Sequence, residues 1–422
     1  MEGSAVALGL PALLAPPGTI TDTATDIATI ELASATISGG GLLAAVRTSS
    51  PGEVRLRAWP LSDPTDVHRT PWIATNAGRV AKLSLPGAGT AGRAWAWRAV
   101  VRDPAAPRLH RSDDLLRTIP ARPARGERSA FTFAFGCCTT ATPGIAFTSV
   151  RRADPQFFAM IGDFGYPDRP SDYHPVEQTY QGYVESFARI LACPRISEIT
   201  ASTPVFAVQD DHDYGFDDCD ETTAQAFAGE AFADLMPGGS YPGPNYRSWS
   251  VGDADFFLTD NRRWKDPEAG PYANGRYMSV LGTAQREWLL AQMAMSMARV
   301  KCVFIPMTMA WFWSRAETQE INDFITDHVS GTVIFLSGDK HAAAVARYSD
   351  RMWEFLAAPI SNPTKHTTPD RSSAVIWTEN GTGTALYNAY GLVDVDTLDA
   401  GTCTLRLMRE DGVEMHRETI PV

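Results

Sequence analysis

From about residue 21 to 118, apolar and polar positions alternate in short runs, clearest over 29–37, 42–48, 53–59 and 93–101. In the last run Trp95, Trp97 and Ala99 fall on one face and Arg98 on the other. Alternation with a period of two, broken by glycine and proline, predicts a small antiparallel β-sandwich. Residues 119–126 (Ile-Pro-Ala-Arg-Pro-Ala-Arg-Gly) carry no periodicity and form the best candidate linker. Beyond it the pattern changes to nearly continuous apolar runs at 131–135, 157–161, 204–208, 255–258, 300–305 and 332–336. Such runs predict strands buried on both faces. Helical stretches lie between several of them. The clearest starts at Thr283 after Gly282, with Leu289, Met293 and Met297 on one stripe and Arg286 and Glu287 exposed. Alternating strands and helices predict a layered α/β arrangement. The expected organisation is a flexible arm over 1–20, a β-sandwich over 21–120, a linker over 121–129 and an α/β domain over 130–422.

Composition narrows the function classes. The chain has 422 residues and a formal net charge of -12. A chain this acidic lacks the broad positive surface that attracts nucleic acid, so no nucleic-acid-binding surface is expected. No apolar run is long enough to span a membrane. The weakly apolar stretch from Leu8 to Leu14 has neither a basic flank nor a twin arginine, so no export signal is recognisable and a cytoplasmic location is the expectation from the residues. The cysteines at 137, 138, 193, 219, 302 and 403 match neither a disulfide framework nor a zinc ribbon and read as thiols or ligands.

Chemistry-bearing residues follow the apolar runs. The first ends in Gly136-Cys137-Cys138, the second in Gly162-Asp163-Phe164-Gly165-Tyr166, the third in Gln209-Asp210-Asp211-His212-Asp213, the fourth in Thr259-Asp260-Asn261-Arg262, and the last in Ser337-Gly338-Asp339-Lys340-His341. Ligands of open sheets bind outside the carboxyl ends of the strands, so parallel strands here would bring these segments to one crevice. Carboxylates crowded together cannot all stay ionised unless a cation offsets them. Asp163, Asp210, Asp211, Asp339 and His341 therefore imply metal. Carboxylate oxygens suit hard cations, whereas a thiolate and an imidazole suit a transition metal. Metal pairs of this kind stabilise both oxygens of an in-line displacement at phosphorus.

At these segments the sequence resembles the alkaline phosphatase D (PhoD-like) family of the calcineurin-like metallophosphoesterase superfamily. The segment Leu281 to Leu289 also looks like the family's helix before the fifth strand. The resemblance implies a four-layer αββα sandwich preceded by an immunoglobulin- or fibronectin-like domain. It implies a phosphomonoesterase or phosphodiesterase using metal-activated water, with Fe3+ and one or two Ca2+; other divalent metals would also fit such a site. It implies metal ligation by Cys138, Asp163, Tyr166, Asp211, Asp339 and His341, with Asp163 bridging. His212 would assist the leaving group and Arg262 would lie near the substrate phosphate. Family habit points to export, against the absent signal. Cys137 stands where the family usually has a small hydroxyl residue and is the alternative thiolate.

Blander readings stand beside these. Cys138 is otherwise a buried thiol, Tyr166 a packing residue, and His212 an ion-paired histidine. Asp210 serves either as a ligand or as a group orienting one. Arg262 serves either substrate or a salt bridge with Asp260. Lys340 reads as solvated, with a phosphate contact as the alternative, and Asp217, Asp218, Asp220 and Glu221 read as a solvated acidic loop, with oxygen ligation of calcium as the alternative. Residues 307–313 read as core, or as an apolar wall for a lipid or aryl leaving group. The competing functions are a phospholipase-type phosphodiesterase acting on lipids, a redox non-haem iron enzyme, and a non-catalytic metal-containing surface module. The redox reading expects two histidines and one carboxylate, which the carboxylate-rich set does not match.

Overall fold

The computed structural model describes residues 28–38, 41–107, 110–140, 142–169, 177–267, 279–313, 315–362, 373–379 and 387–422. The arm expected over 1–20 lies outside them.

The alternating N-terminal runs form two antiparallel sheets. One pairs Ile30–Ser38, Gly41–Thr48 and Val80–Pro86; the other is built on Glu53–Pro60 and Trp95–Arg102 with four short strands at its edges. Trp95, Trp97 and Ala99 are buried between them with Leu42, Val46, Val54 and Leu56, as the alternation requires. The opposite face of the first sheet is also apolar. Leu32, Ala45 and Val80 pack with Tyr183, Val184 and Phe187 of the helix Tyr180–Leu191. The N-terminal sheets are thus docked on the rest of the chain by a shared core, with Arg79 and Arg47 both paired to Glu185 at its rim.

After residue 130 the chain builds two mixed sheets. The first is ordered Val205–Val208, Phe158–Ile161, Ala130–Gly136, Ala389–Asp396, Thr402–Arg409 and Glu414–Pro421. The second is ordered Arg247–Val251, Ala254–Leu258, Val300–Met307, Thr332–Gly338, Met352–Ala357, Ala343–Arg347 and Val375–Thr378. One core lies between the sheets and holds an aromatic cluster in which Phe157 meets Phe133 (4.8 Å between ring centroids), Phe256 (4.9 Å) and Phe206 (5.3 Å). Two further cores lie where helices cover the outer faces. The expected strands are all present, but they divide between two sheets. Three are parallel neighbours in each. The antiparallel C-terminal strands that complete the first sheet were not anticipated.

The helix Thr283–Met295 buries Leu289 and Met293 as expected, but its third buried residue is Gln285. Met297 lies past the helix end and is 85% exposed. Residues 309–312 form a short helix, with Met307, Met309 and Trp313 in the core that it shares with the second sheet. Among the described residues no helix is long and apolar enough to cross a membrane.

Candidate functional site

The chemistry-bearing segments leave the carboxyl ends of the parallel strands in both sheets, and backbone hydrogen bonds lace them together. Cys138 N–H donates to Gly162 O (3.0 Å), and Thr139 N–H donates to Asp163 O (2.9 Å). Gly162 has φ +98°, and a Cβ there would lie 2.4 Å from Asp210 Cβ, so only glycine lets the second and third segments approach this closely. Asp210 caps the short helix Asp211–Tyr214. Asp213 then turns its carboxylate back to accept from the N–H groups of Asp163 (2.8 Å), Phe164 (2.8 Å) and Asp210 (3.0 Å). The fourth segment is fastened by buried Gln285, whose side-chain amide exchanges 2.7 Å hydrogen bonds with both backbone groups of Asp260.

Within this frame the Tyr166 hydroxyl donates to Asp163 Oδ2 (3.0 Å) and lies 2.8 Å from His341 Nε2. Cys138, Asp163 and His341 present donor atoms within 4.8 Å of one another. Asp163, Asp210, Asp211 and Asp339 do the same, as do Asp163, Asp211 and His212. All these side chains are buried except Asp339, which is partly so. Cys138, Asp163, Tyr166 and Asp339 each have φ between +51° and +67°. Outside glycine that region is strained, least so for aspartate, and strain of this kind collects where a site over-determines the backbone. Cys137 Sγ lies 3.1 Å from Cys138 Sγ, so both thiols reach the edge of the cluster. Lys340 is half-buried beside it.

Arg262 is fully buried. Its Nε donates to Asp210, its Nη2 to Asp339 Oδ2 (2.9 Å) with Asp211 Oδ2 at 3.4 Å, and its Nη1 to Asp218 Oδ1 (3.3 Å). Its partners are thus four carboxylates other than Asp260, which instead receives the Tyr214 hydroxyl (2.6 Å). His212 packs its ring against Tyr166, with centroids 4.4 Å apart. Its Nδ1 lies 2.8 Å from Asp168 Oδ2 and its Nε2 lies 3.4 Å from Asp217 Oδ1. Asp168, Arg169 and Asp213 meet the site without having been singled out from sequence, and Asp217 and Asp218 of the acidic run after His212 reach it as well. Asp213 sat inside a recognised segment, and Asp168 and Arg169 lie two and three residues after Tyr166.

Electrostatics explain why the cluster needs a cation. Burial, then the neighbouring Cys138 and carboxylates, pushes Asp163 well above the usual carboxylate range. Burial does the same to Asp339 against the pull of Arg262. Asp210 is pushed up to about 6, again by burial opposed by Arg262. Asp211 moves the other way, to about 2: burial opposes its charge, but Arg262 and His212 outweigh it. Burial lifts Cys138 and Tyr166 far above their ordinary values, and neighbouring anions add to both. His212 stays raised despite burial because Asp168 and Asp211 favour its charged form. A thiol, a phenol and carboxylic acids held neutral by burial are converted to ligands when a multivalent cation replaces their protons.

The residues fit such a cation. Asp163 Oδ1 and Asp210 Oδ2 are buried without any hydrogen-bond partner, an expensive state for a carboxylate oxygen that ligation would relieve. The set Cys138, Asp163, Tyr166 and His341 mixes sulfur, oxygen and nitrogen donors and suits a transition metal; Asp163, Asp210, Asp211 and Asp339 offer oxygen only and suit a hard cation.

Comparison with known proteins agrees with this geometry. A sequence model of the PhoD-like phosphatase family matches residues 133–411. No curated protein sequence matches the chain. Among solved structures, one titled as the structure of PhoD superposes with a TM-score of 0.72 at 14% identity, covering 92% of both chains. Purple acid phosphatase PPD1 from yellow lupin (Lupinus luteus) seeds gives a TM-score of 0.67 at 10% identity, covering 92% of this chain and 73% of that one. At such identities the structures speak for the fold, and the family match speaks for the chemistry. The chain belongs to the PhoD-like phosphatase family and is a metal-dependent phosphoric ester hydrolase.

Proposed function

We propose that Cys138, Asp163, Tyr166 and His341 hold a ferric ion, that Asp163, Asp210, Asp211 and Asp339 hold calcium, and that phosphate mono- or diesters are hydrolysed between them. The observation that carries the reading is Asp163, which belongs to all three groups of converging donor atoms and so is placed to bridge. When bound, the cations supply Lewis acidity toward water and the phosphoryl oxygens.

The protein's own groups do the rest. His212, kept in its charged form by Asp168, donates a proton to the departing ester oxygen. Arg262 acts as a positioning residue: it fixes Asp210 and Asp339 and offsets their charge from behind. Asp213 holds the backbone on either side of the bridging carboxylate. Met307, Met309 and Trp313 lie in the core, which favours a packing role for these three over an apolar wall for lipid. We read the two N-terminal sheets as an immunoglobulin- or fibronectin-like domain over 21–120, joined by 121–129 to a catalytic domain over 130–422.

The test is turnover of 4-nitrophenyl phosphate and bis(4-nitrophenyl) phosphate by protein expressed with iron and calcium supplied. Release from either ester, abolished in Asp163→Ala together with bound metal, is the expected result. Undiminished turnover in that variant refutes the site.

A further inference from the structure

Arg169 and Asp217 form an arrangement that the hydrolytic reading above does not use. Asp217 Oδ1 lies 2.8 Å from Arg169 Nη2 and 3.4 Å from His212 Nε2. One carboxylate oxygen therefore occupies the space in front of the ring nitrogen that must face a leaving group. The other ring nitrogen is already taken by Asp168. The Asp217 side chain is 66% exposed, whereas that of His212 is only 7% exposed, so the anion arrives from the solvent side and covers the imidazole. The residue after it is pinned: Asp218 N–H donates to Asp211 Oδ2 (2.6 Å), and its own carboxylate meets Arg262. Arg169 is fixed from the other side by a turn in which its N–H donates to Tyr166 O (3.1 Å), three residues after the tyrosine against His341.

We propose that Arg169 and the Nε2 edge of His212 form the seat of a substrate's phosphate-ester oxygens, the departing oxygen at His212 and the phosphoryl oxygens at the Arg169 fork, and that Asp217 fills this seat as a placeholder until an anionic ester displaces it. This rests on the reading that phosphate esters are hydrolysed at the cluster. The energetics favour exchange. An ion pair as exposed as Arg169 with Asp217 contributes little, because solvent competes for both partners. A phosphate offers a larger charge and more acceptor oxygens, and a guanidinium fork matches two of them at once. The carboxylate is tethered and singly charged, so it closes the seat against water without holding it against substrate. The ligand class is a phosphate monoester or diester whose phosphoryl group sits at the cluster with two oxygens toward the Arg169 fork.

Binding of inorganic phosphate to the metal-loaded protein, by isothermal titration calorimetry, tests this beside KM for 4-nitrophenyl phosphate. Arg169→Met should weaken phosphate roughly tenfold or more and raise KM in parallel, the expected loss of a charge-assisted bidentate contact. Arg169→Lys should fall between, keeping charge but losing the fork. Asp217→Ala should tighten phosphate severalfold, roughly the cost of displacing a tethered competitor. Metal content should match the parent in all three, since none of these side chains is among the proposed ligands. Unchanged phosphate affinity in Arg169→Met, or weaker affinity in Asp217→Ala, overturns the proposal. If the parent hydrolyses esters while these variants behave that way, the placeholder idea fails and the hydrolytic site stands. If the parent hydrolyses none, the site reading itself fails.

Discussion

Asp213 shows how much of the site depends on a side chain that need touch neither metal nor substrate. Its two oxygens accept from the N–H groups of Asp163, Phe164 and Asp210, and burial holds it at about 7 against those donors. Asp213→Asn replaces an acceptor oxygen with a donor facing a donor. That should cost about 1–3 kcal/mol in denaturant unfolding and, by releasing the Asp163 carboxylate, weaken metal binding roughly 10- to 100-fold in equilibrium dialysis. Asp168 acts through His212 in a different way. Because Asp168 favours the charged ring, His212 remains a proton donor to higher pH than an isolated histidine. In Asp168→Asn that support is lost, the pKa falls, and the alkaline limb of the kcat profile should move to lower pH. An alkaline limb that stays in place would remove His212 as the donor. At this scale sequence pointed to the residues that converge and missed their supports. Acidic, thiol and imidazole residues just after apolar runs are chemically conspicuous. Which carboxylate bonds which backbone N–H is decided by loops 44 to 50 residues apart, as for His212 with Asp168 and Asp163 with Asp213, and no local pattern records it.

The elements that hold these loops tolerate little change in volume. Phe157 lies at the centre of the inter-sheet cluster, stacked on Phe133 and edge-on to Phe206, Phe256 and Trp249. Phe157→Ala should lower stability by about 3–5 kcal/mol, read as a lower urea midpoint with an unchanged m-value. Gly162→Ala forces a Cβ into Asp210 and a side chain into positive φ, so activity should fall more steeply than melting temperature. The strands of the α/β region were legible because runs buried on both faces leave continuous apolar sequence. Their division into two sheets came only from the family resemblance, because periodicity carries no record of which strand pairs with which. The helix from Thr283 was legible in its stripe but not in its end. Gln285 replaces Met297 on the buried face because a polar side chain is worth burying where it satisfies both backbone groups of Asp260.

Across the whole molecule, the acidic balance and the buried cluster act together. Asp210 at about 6 and Asp213 at about 7 both lie above the unfolded carboxylate range, so without cations the folded state binds protons that the unfolded chain has lost. The stability of chelated protein should therefore fall as pH rises from about 4 through 7, and adding metal should raise the melting temperature most at the upper end of that range. A chelated protein that melts at the same temperature at pH 5 and pH 7.5, as carboxylates of ordinary pKa would give, would mean the cluster is not poised this way. The most direct test of shared cations is the visible spectrum of the iron- and calcium-supplied protein taken with metal quantitation. A violet phenolate-to-iron band should appear with bound iron and vanish in Tyr166→Phe. A protein that binds iron with no such band, or keeps the band in Tyr166→Phe, would contradict the assembly of Cys138, Asp163, Tyr166 and His341 around one ion.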